Sequence, residues 1–151
     1  MKFKSFALAA AFAGLAAAAP ASANEARVEV RGGVAWASGT EEAIAGVAAG
    51  YDFDLGDNVF IGAEASADKV LANGADVVWG LSGRIGTDIV DNGKLYAIGG
   101  YSFGEGEDLP HLGAGYEHKF GSNVYGKVEY RHFFSDFVDV NAAVVGVGVS
   151  F

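Results

Sequence analysis

From Ala26 to Phe151 the chain alternates apolar with polar or small residues in eight successive runs, and no stretch carries a helical period. The runs are read as Ala26–Ala37, Ala43–Leu55, Val59–Asp68 (running on through Leu71), Ala75–Asp88, Lys94–Phe103, Pro110–Phe120, Val124–Phe134 and Val140–Phe151. Turn chemistry separates several of them: Gly56-Asp57-Asn58, Asn73-Gly74, Asp91-Asn92-Gly93 and Gly121-Ser122-Asn123. The last run is the clearest. Phe151, Val149, Val147, Val145 and Ala143 share one face, while Ser150, Gly148, Gly146 and Ala142, with Val144 as the exception, make a small opposite face. Such a chain is restricted to sheets with one apolar face. Eight runs of about ten residues fit an all-β, eight-stranded antiparallel up-and-down barrel.

Alternation alone does not say which face is inside. A soluble carrier barrel would turn its apolar residues inward, and a transmembrane barrel would turn them outward. Two patterns favour the transmembrane form. On the apolar face, Trp36, Trp79, Phe103 and Phe134 fall at one end of their strands and Tyr51, Phe53, Phe120 and Phe151 at the other, making two aromatic girdles such as a bilayer's two interfaces select. On the polar face, Arg27, Arg31, Arg84, Lys119, Lys127 and Arg131 share space with Glu29, Asp52, Asp54, Glu64, Asp68, Asp76, Glu117 and Glu129. Charges of both signs suit a narrow lumen in which they pair. Glycines on the same face make room for long side chains. With the chain starting on the periplasmic side, the turns at Gly56, Asp91 and Gly121 are periplasmic, and those at Ser38, Lys69, Gly104 and Ser135 are external.

Lys2 and Lys4 precede an apolar run from Phe6 to Ala19, followed by Pro20 and Ala21-Ser22-Ala23. This has the form of a secretory signal peptide, residues 1–23, with the barrel domain occupying 24–151. The apolar run is shorter than the roughly 20 residues a spanning helix needs. Cleavage would remove two of ten basic residues and none of nineteen acidic ones, leaving a formal charge of −11. Nucleic acid is not expected as a partner of so acidic a chain. The absence of cysteine excludes a disulfide framework.

The signal-like start, the eight runs, the short periplasmic turns, the segment V-Y-G-K-V-E-Y-R (Val124–Arg131) and the closing G-V-G-V-S-F (Gly146–Phe151) together resemble the small bacterial outer-membrane β-barrel family. That family includes opacity-type porin-like proteins and the membrane domain of the outer-membrane protein A class. The resemblance implies residence in the outer membrane, contact with its lipids and lipopolysaccharide, and assembly as a monomer. It also implies recognition of the last strand by the barrel-assembly machinery, with Phe151 as the signal. The external loops are shorter than those of opacity-type adhesins. A periplasmic domain like that of the larger relatives is not expected, so a cell-wall tether would need another protein.

The strongest functional candidates are the lumen charges Arg27, Glu29, Arg31, Glu64, Arg84, Glu117, Lys127, Glu129 and Arg131. They would form either a salt-bridge gate on a narrow ion path, as proposed for related barrels, or a plug. The plug is favoured because buried ion pairs commonly persist for want of an alternative partner. Some family members are lipid A deacylases that use a His, a Ser and an acid. Here His132 and Ser135 are three apart, which puts them on opposite faces of a continuing strand, and Glu129 points inward. No catalytic residue, cofactor or metal site is assigned. His111 and His118 lack metal-ligand spacing with each other or with His132. The acidic loop residues Glu41, Glu42, Glu105, Glu107, Asp108 and Asp136 are candidates for divalent cations shared with lipopolysaccharide phosphates. The expected protein is a non-enzymatic, structural envelope component with a largely plugged polar lumen. The alternatives are a narrow porin-like channel for ions or small solutes and, more distantly, a lipid A-modifying enzyme.

Overall fold

Eight antiparallel strands close on themselves in the computed structural model, which describes residues 24–104 and 108–151. They are β1 (Asn24–Ala37), β2 (Thr40–Asp54), β3 (Val59–Val70), β4 (Val77–Val90), β5 (Gly93–Phe103), β6 (Leu109–Phe120), β7 (Val124–Phe133) and β8 (Val140–Ser150). Each pairs with its sequence neighbours, and β8 returns to β1 in a ladder running from Arg27 opposite Ser150 to Trp36 opposite Asn141. Beyond that ladder Phe151 and Ala26 exchange both backbone hydrogen bonds at 2.8 Å. The expected signal peptide lies outside the described residues, as do Glu105 and Glu107.

Closure leaves period-2 strands two destinations for a side chain, and the two compositions separate cleanly. Val30, Leu81, Val147 and Phe120 stand 60% or more exposed on the outer wall. Arg27, Glu64, Arg84, Glu117 and Lys127 are each under 5% exposed inside it. A soluble carrier would show the reverse arrangement. This is the transmembrane form, apolar outside and charged within.

Strand ends depart from the sequence expectation where turns are tighter than composition suggests. Ser38 (φ 45°) and Gly39 (φ 81°) form a two-residue connection in which both residues have positive φ. Such turns match the twist of a hairpin and let its ladder continue to the last pair, Ala37 opposite Thr40. Glu41 and Glu42 therefore lie on β2 and not in a loop. β4 starts at Val77 because Lys69 opposite Val77 ends its pairing with β3. It continues past Asp88, through a bulge, to Val90 opposite Gly93. Phe134 and Phe151 fall one residue beyond β7 and β8.

Val30 lies midway along β1, between Val47 of β2 and Val147 of β8. Val30→Arg is expected to lower folding stability in lipid vesicles by about 2–4 kcal/mol, whereas Glu41→Arg, on the same face near the strand end opposite Trp36, should change it by about 1 kcal/mol or less. Denaturant titration of tryptophan fluorescence in vesicles would measure both.

Candidate functional site: the charged lumen

Inward parity places Arg27, Glu29 and Arg31 on β1, Asp52 on β2, Glu64 and Asp68 on β3, Arg84 on β4, Glu117 on β6, and Lys127, Glu129 and Arg131 on β7. At the centre stands Glu64. Its Oε2 accepts from Arg27 Nη1 at 2.8 Å and lies 3.7 Å from Lys127 Nζ. Its Oε1 accepts from Arg131 Nη2 at 2.6 Å and from Arg31 Nη1 at 3.2 Å. One carboxylate thus meets four cations from two strands.

The other acids complete the shell. Asp52 takes a fork from Arg84, with Nε donating at 2.9 Å and Nη2 to the second oxygen. Arg84 Nη1 donates to Glu117 at 3.0 Å. Glu29 lies 2.5 Å from Lys127 Nζ and accepts from Tyr125 Oη at 2.8 Å. Glu129 accepts from Arg131, from Lys127 at 3.2 Å and from Tyr96 Oη at 2.6 Å. Arg31 forks onto Asp68. Towards the mouth on the Phe151 side, Glu25 holds both Lys94, at 3.3 Å, and Lys119. The lumen's ion pairs therefore join seven cations (Arg27, Arg31, Arg84, Lys94, Lys119, Lys127, Arg131) to seven anions (Glu25, Glu29, Asp52, Glu64, Asp68, Glu117, Glu129). Asp54 and Asp76, of the same expected face, are exposed and make no ion pair among the described residues.

Glycine supplies the room. A Cβ at Gly50 would sit 2.5 Å from Arg27 Nη2, and one at Gly148 would sit 2.7 Å from the Tyr125 hydroxyl. Sequence reasoning missed the inward aromatics. Arg84 lies over Phe60 (5.1 Å to the ring centre) and Tyr96 (4.7 Å), close enough for cation–π attraction. Their parity on β3 and β5 marks them as inward, whereas an aromatic residue by type suggests the bilayer-facing girdles. His111, also inward, contacts Ser82 Oγ with Nε2 at 2.8 Å and Ser102 Oγ with Nδ1 at 3.1 Å.

The comparisons decide the family. The outer membrane protein β-barrel domain family matches residues 7–151. The chain belongs to that family. Solved barrels share this fold at low identity. The attachment invasion locus protein Ail of Yersinia pestis gives a TM-score of 0.64 at 13% identity, over 85% of this chain and 97% of that one. The N-terminal β-barrel domain of Pseudomonas aeruginosa OprF gives 0.58 at 17%, over 83% and 97%. Neisserial surface protein A gives 0.57 at 16%, over 88% and 100%. No curated protein sequence matches the chain.

As an outer-membrane β-barrel protein, the chain presents its exposed apolar wall to lipid. Trp79, Phe103, Phe134, Phe53, Phe120 and Phe151 are exposed on that wall, and Trp36 and Tyr51 half-buried. Rings meet at both ends of the wall, Trp36 with Tyr130 at 6.3 Å and Tyr51 with Phe53 at 4.8 Å. At the rim opposite Phe151, His132 Nδ1 lies 2.8 Å from Asn141 Oδ1, and Nε2 lies 3.3 Å from Asp139 Oδ2. Ser135 Oγ accepts from the Phe137 backbone N–H. Both imidazole nitrogens thus face other side chains, and Glu129 is turned into the lumen. Among the described residues no three His, Cys, Asp or Glu are placed to hold a metal.

Removing one partner from a buried ion network leaves the others uncompensated. Glu64→Gln, which strips four cations of their shared acid, is expected to cost about 3–5 kcal/mol of unfolding free energy. Lys119→Met, at the partly exposed mouth, should cost about 1 kcal/mol or less. Equilibrium unfolding in vesicles would separate the two.

Proposed function

We propose that this protein is a structural, envelope-integrity component of the outer membrane whose polar lumen is plugged by its own side chains. The observation that carries the reading is Glu64 held by four cations across the barrel axis, with every side chain of that cluster under 5% exposed. A hydrated ion travelling along the axis would have to part these charges and replace their contacts with its own. Eight strands enclose a space that side chains largely fill, so no bypass remains beside the cluster.

The wall and its aromatic ends serve as the contact with outer-membrane lipids and lipopolysaccharide, and the two aromatic girdles set the depth of the barrel. Phe151, exposed beside the β8–β1 closure, is the element the barrel-assembly machinery engages. The closed ladder has no free edge to which a partner could add a strand, which supports a monomer. It is not an enzyme. The partners of His132 and the inward turn of Glu129 support that reading.

Refolded protein in liposomes is expected to hold ions and small solutes as tightly as protein-free vesicles. Glu129→Ala, which loosens Lys127, Arg131 and Tyr96 together, should raise leakage. Steady protein-dependent leakage of the unsubstituted barrel would replace the plug with a narrow channel. Cells lacking the protein should be more sensitive to detergent, and unchanged sensitivity would remove the envelope role.

A further inference from the structure

Above the charge network the lumen changes character. A cavity of about 250 Å³ opens at the external mouth, lined by side chains from all eight strands. Ile44, Val70, Val78, Phe133, Val140 and Ala142 are among those that wall it, and Arg31, Asp68 and Arg131 are its polar members. These apolar residues occupy inward positions, so contact with lipid does not account for them. Nor do they fill the space, which remains open. Porin lumens, by contrast, are polar throughout.

The polar members restrict what suits the cavity. Arg31 directs each of its three nitrogens at a carboxylate, Asp68 or Glu64, which uses three of its five N–H donors. Arg131 gives Nε to Glu129 and Nη2 to Glu64, while Nη1 makes no hydrogen bond among the described residues. Ser102 adds a hydroxyl already in contact with His111. The surrounding ion pairs are balanced at seven of each sign, so no excess positive charge awaits an anion. Glu42 and Asp108, both exposed near this mouth, would repel one. Asp68 is the one lining carboxylate a cation could bind, and both its oxygens already accept from Arg31. A donor at the floor of an apolar cuff fits a neutral molecule with one acceptor.

We propose that the external mouth is a blind binding vestibule for a small neutral amphiphile, an alkyl or aryl ketone or ester. Its carbonyl oxygen accepts from Arg131 Nη1, and its hydrocarbon part fills the apolar cuff. Since ~150 Å³ suffices for benzene, this space holds a molecule of about ten non-hydrogen atoms. The blind floor rests on the plug proposed above.

The test uses the refolded barrel in lipid nanodiscs with labelled Ile, Leu and Val methyls, titrated with 4-phenylbutan-2-one. Saturable shifts are expected at Ile44, Val70, Val78 and Val140 and not at the lipid-facing Val30, Leu81 and Val147. A hydrogen bond to a charged donor predicts roughly tenfold tighter binding of the ketone than of butylbenzene. The anion 4-phenylbutanoate should also bind more weakly. Arg131→Lys keeps the charge but changes the donor fork, and should erase the preference over butylbenzene. Ala142→Phe, opposite Arg131 in the β7–β8 ladder, fills the cavity while removing no charge, and should abolish the shifts. Shifts confined to lipid-facing methyls, shifts surviving Ala142→Phe, or an anion bound as well as the ketone would each overturn the proposal. Leaky liposomes with intact cavity shifts would remove the plug and leave the binding site standing. Tight liposomes without cavity shifts would remove the vestibule alone.

Discussion

Closure of the β8–β1 ladder is the constraint on which everything else rests. In hydrocarbon no water relieves an open strand edge, so each N–H and C=O must find a partner within the barrel. From Arg27 opposite Ser150 to Trp36 opposite Asn141, and on to the Phe151–Ala26 pair, that requirement is met. Once the sheet closes, a strand's two parities have nowhere to go but lipid or lumen. Away from the strand ends, the charges on the inner parity are then confined together in a space too narrow for each to keep its own shell of water.

Confinement explains why Glu64 is a hub rather than half of a pair. Arg27 and Arg31 of β1 and Lys127 and Arg131 of β7 converge on one carboxylate of β3, so the cluster ties one wall to another across the axis. The backbone ladders hold neighbouring strands together but say nothing of strands on opposite sides. Cross-lumen ion pairs supply that connection. The close approach of the Arg27 guanidinium to Gly50 and of the Tyr125 ring to Gly148 shows the same crowding from the side of the wall.

Alternation makes strand number, antiparallel order and the inward parity of the nine charged positions readable without coordinates. Who pairs with whom is not readable. Arg27 and Glu64 are 37 residues apart, and their meeting depends on the relative shift of non-adjacent strands, which accumulates through two intervening registers. The strand ends at Thr40 and Val90 were lost for a different reason. Ser38-Gly39 and Asp91-Asn92 sit among polar residues that look like loops by composition, while their tight geometry keeps the ladder paired. Phe60, Tyr96 and Tyr125 were overlooked because an aromatic residue suggests the bilayer interface, although a phenol that donates to a buried carboxylate belongs equally well inside.

The distribution of charge along the axis follows from the same physics. Among the described residues, seven acids are engaged in the lumen by seven cations, and ten others lie outside those ion pairs. Lys69 is the one basic residue of 24–151 outside the lumen network. Charge is balanced where water is scarce and left unbalanced where it is plentiful, because an unpaired ion is costly in the first setting and readily solvated in the second. The apolar cuff above Arg31 and Arg131 extends that ordering. Between the balanced interior and the acidic rim it interposes a layer that carries little charge of its own, and so little that needs either pairing or water.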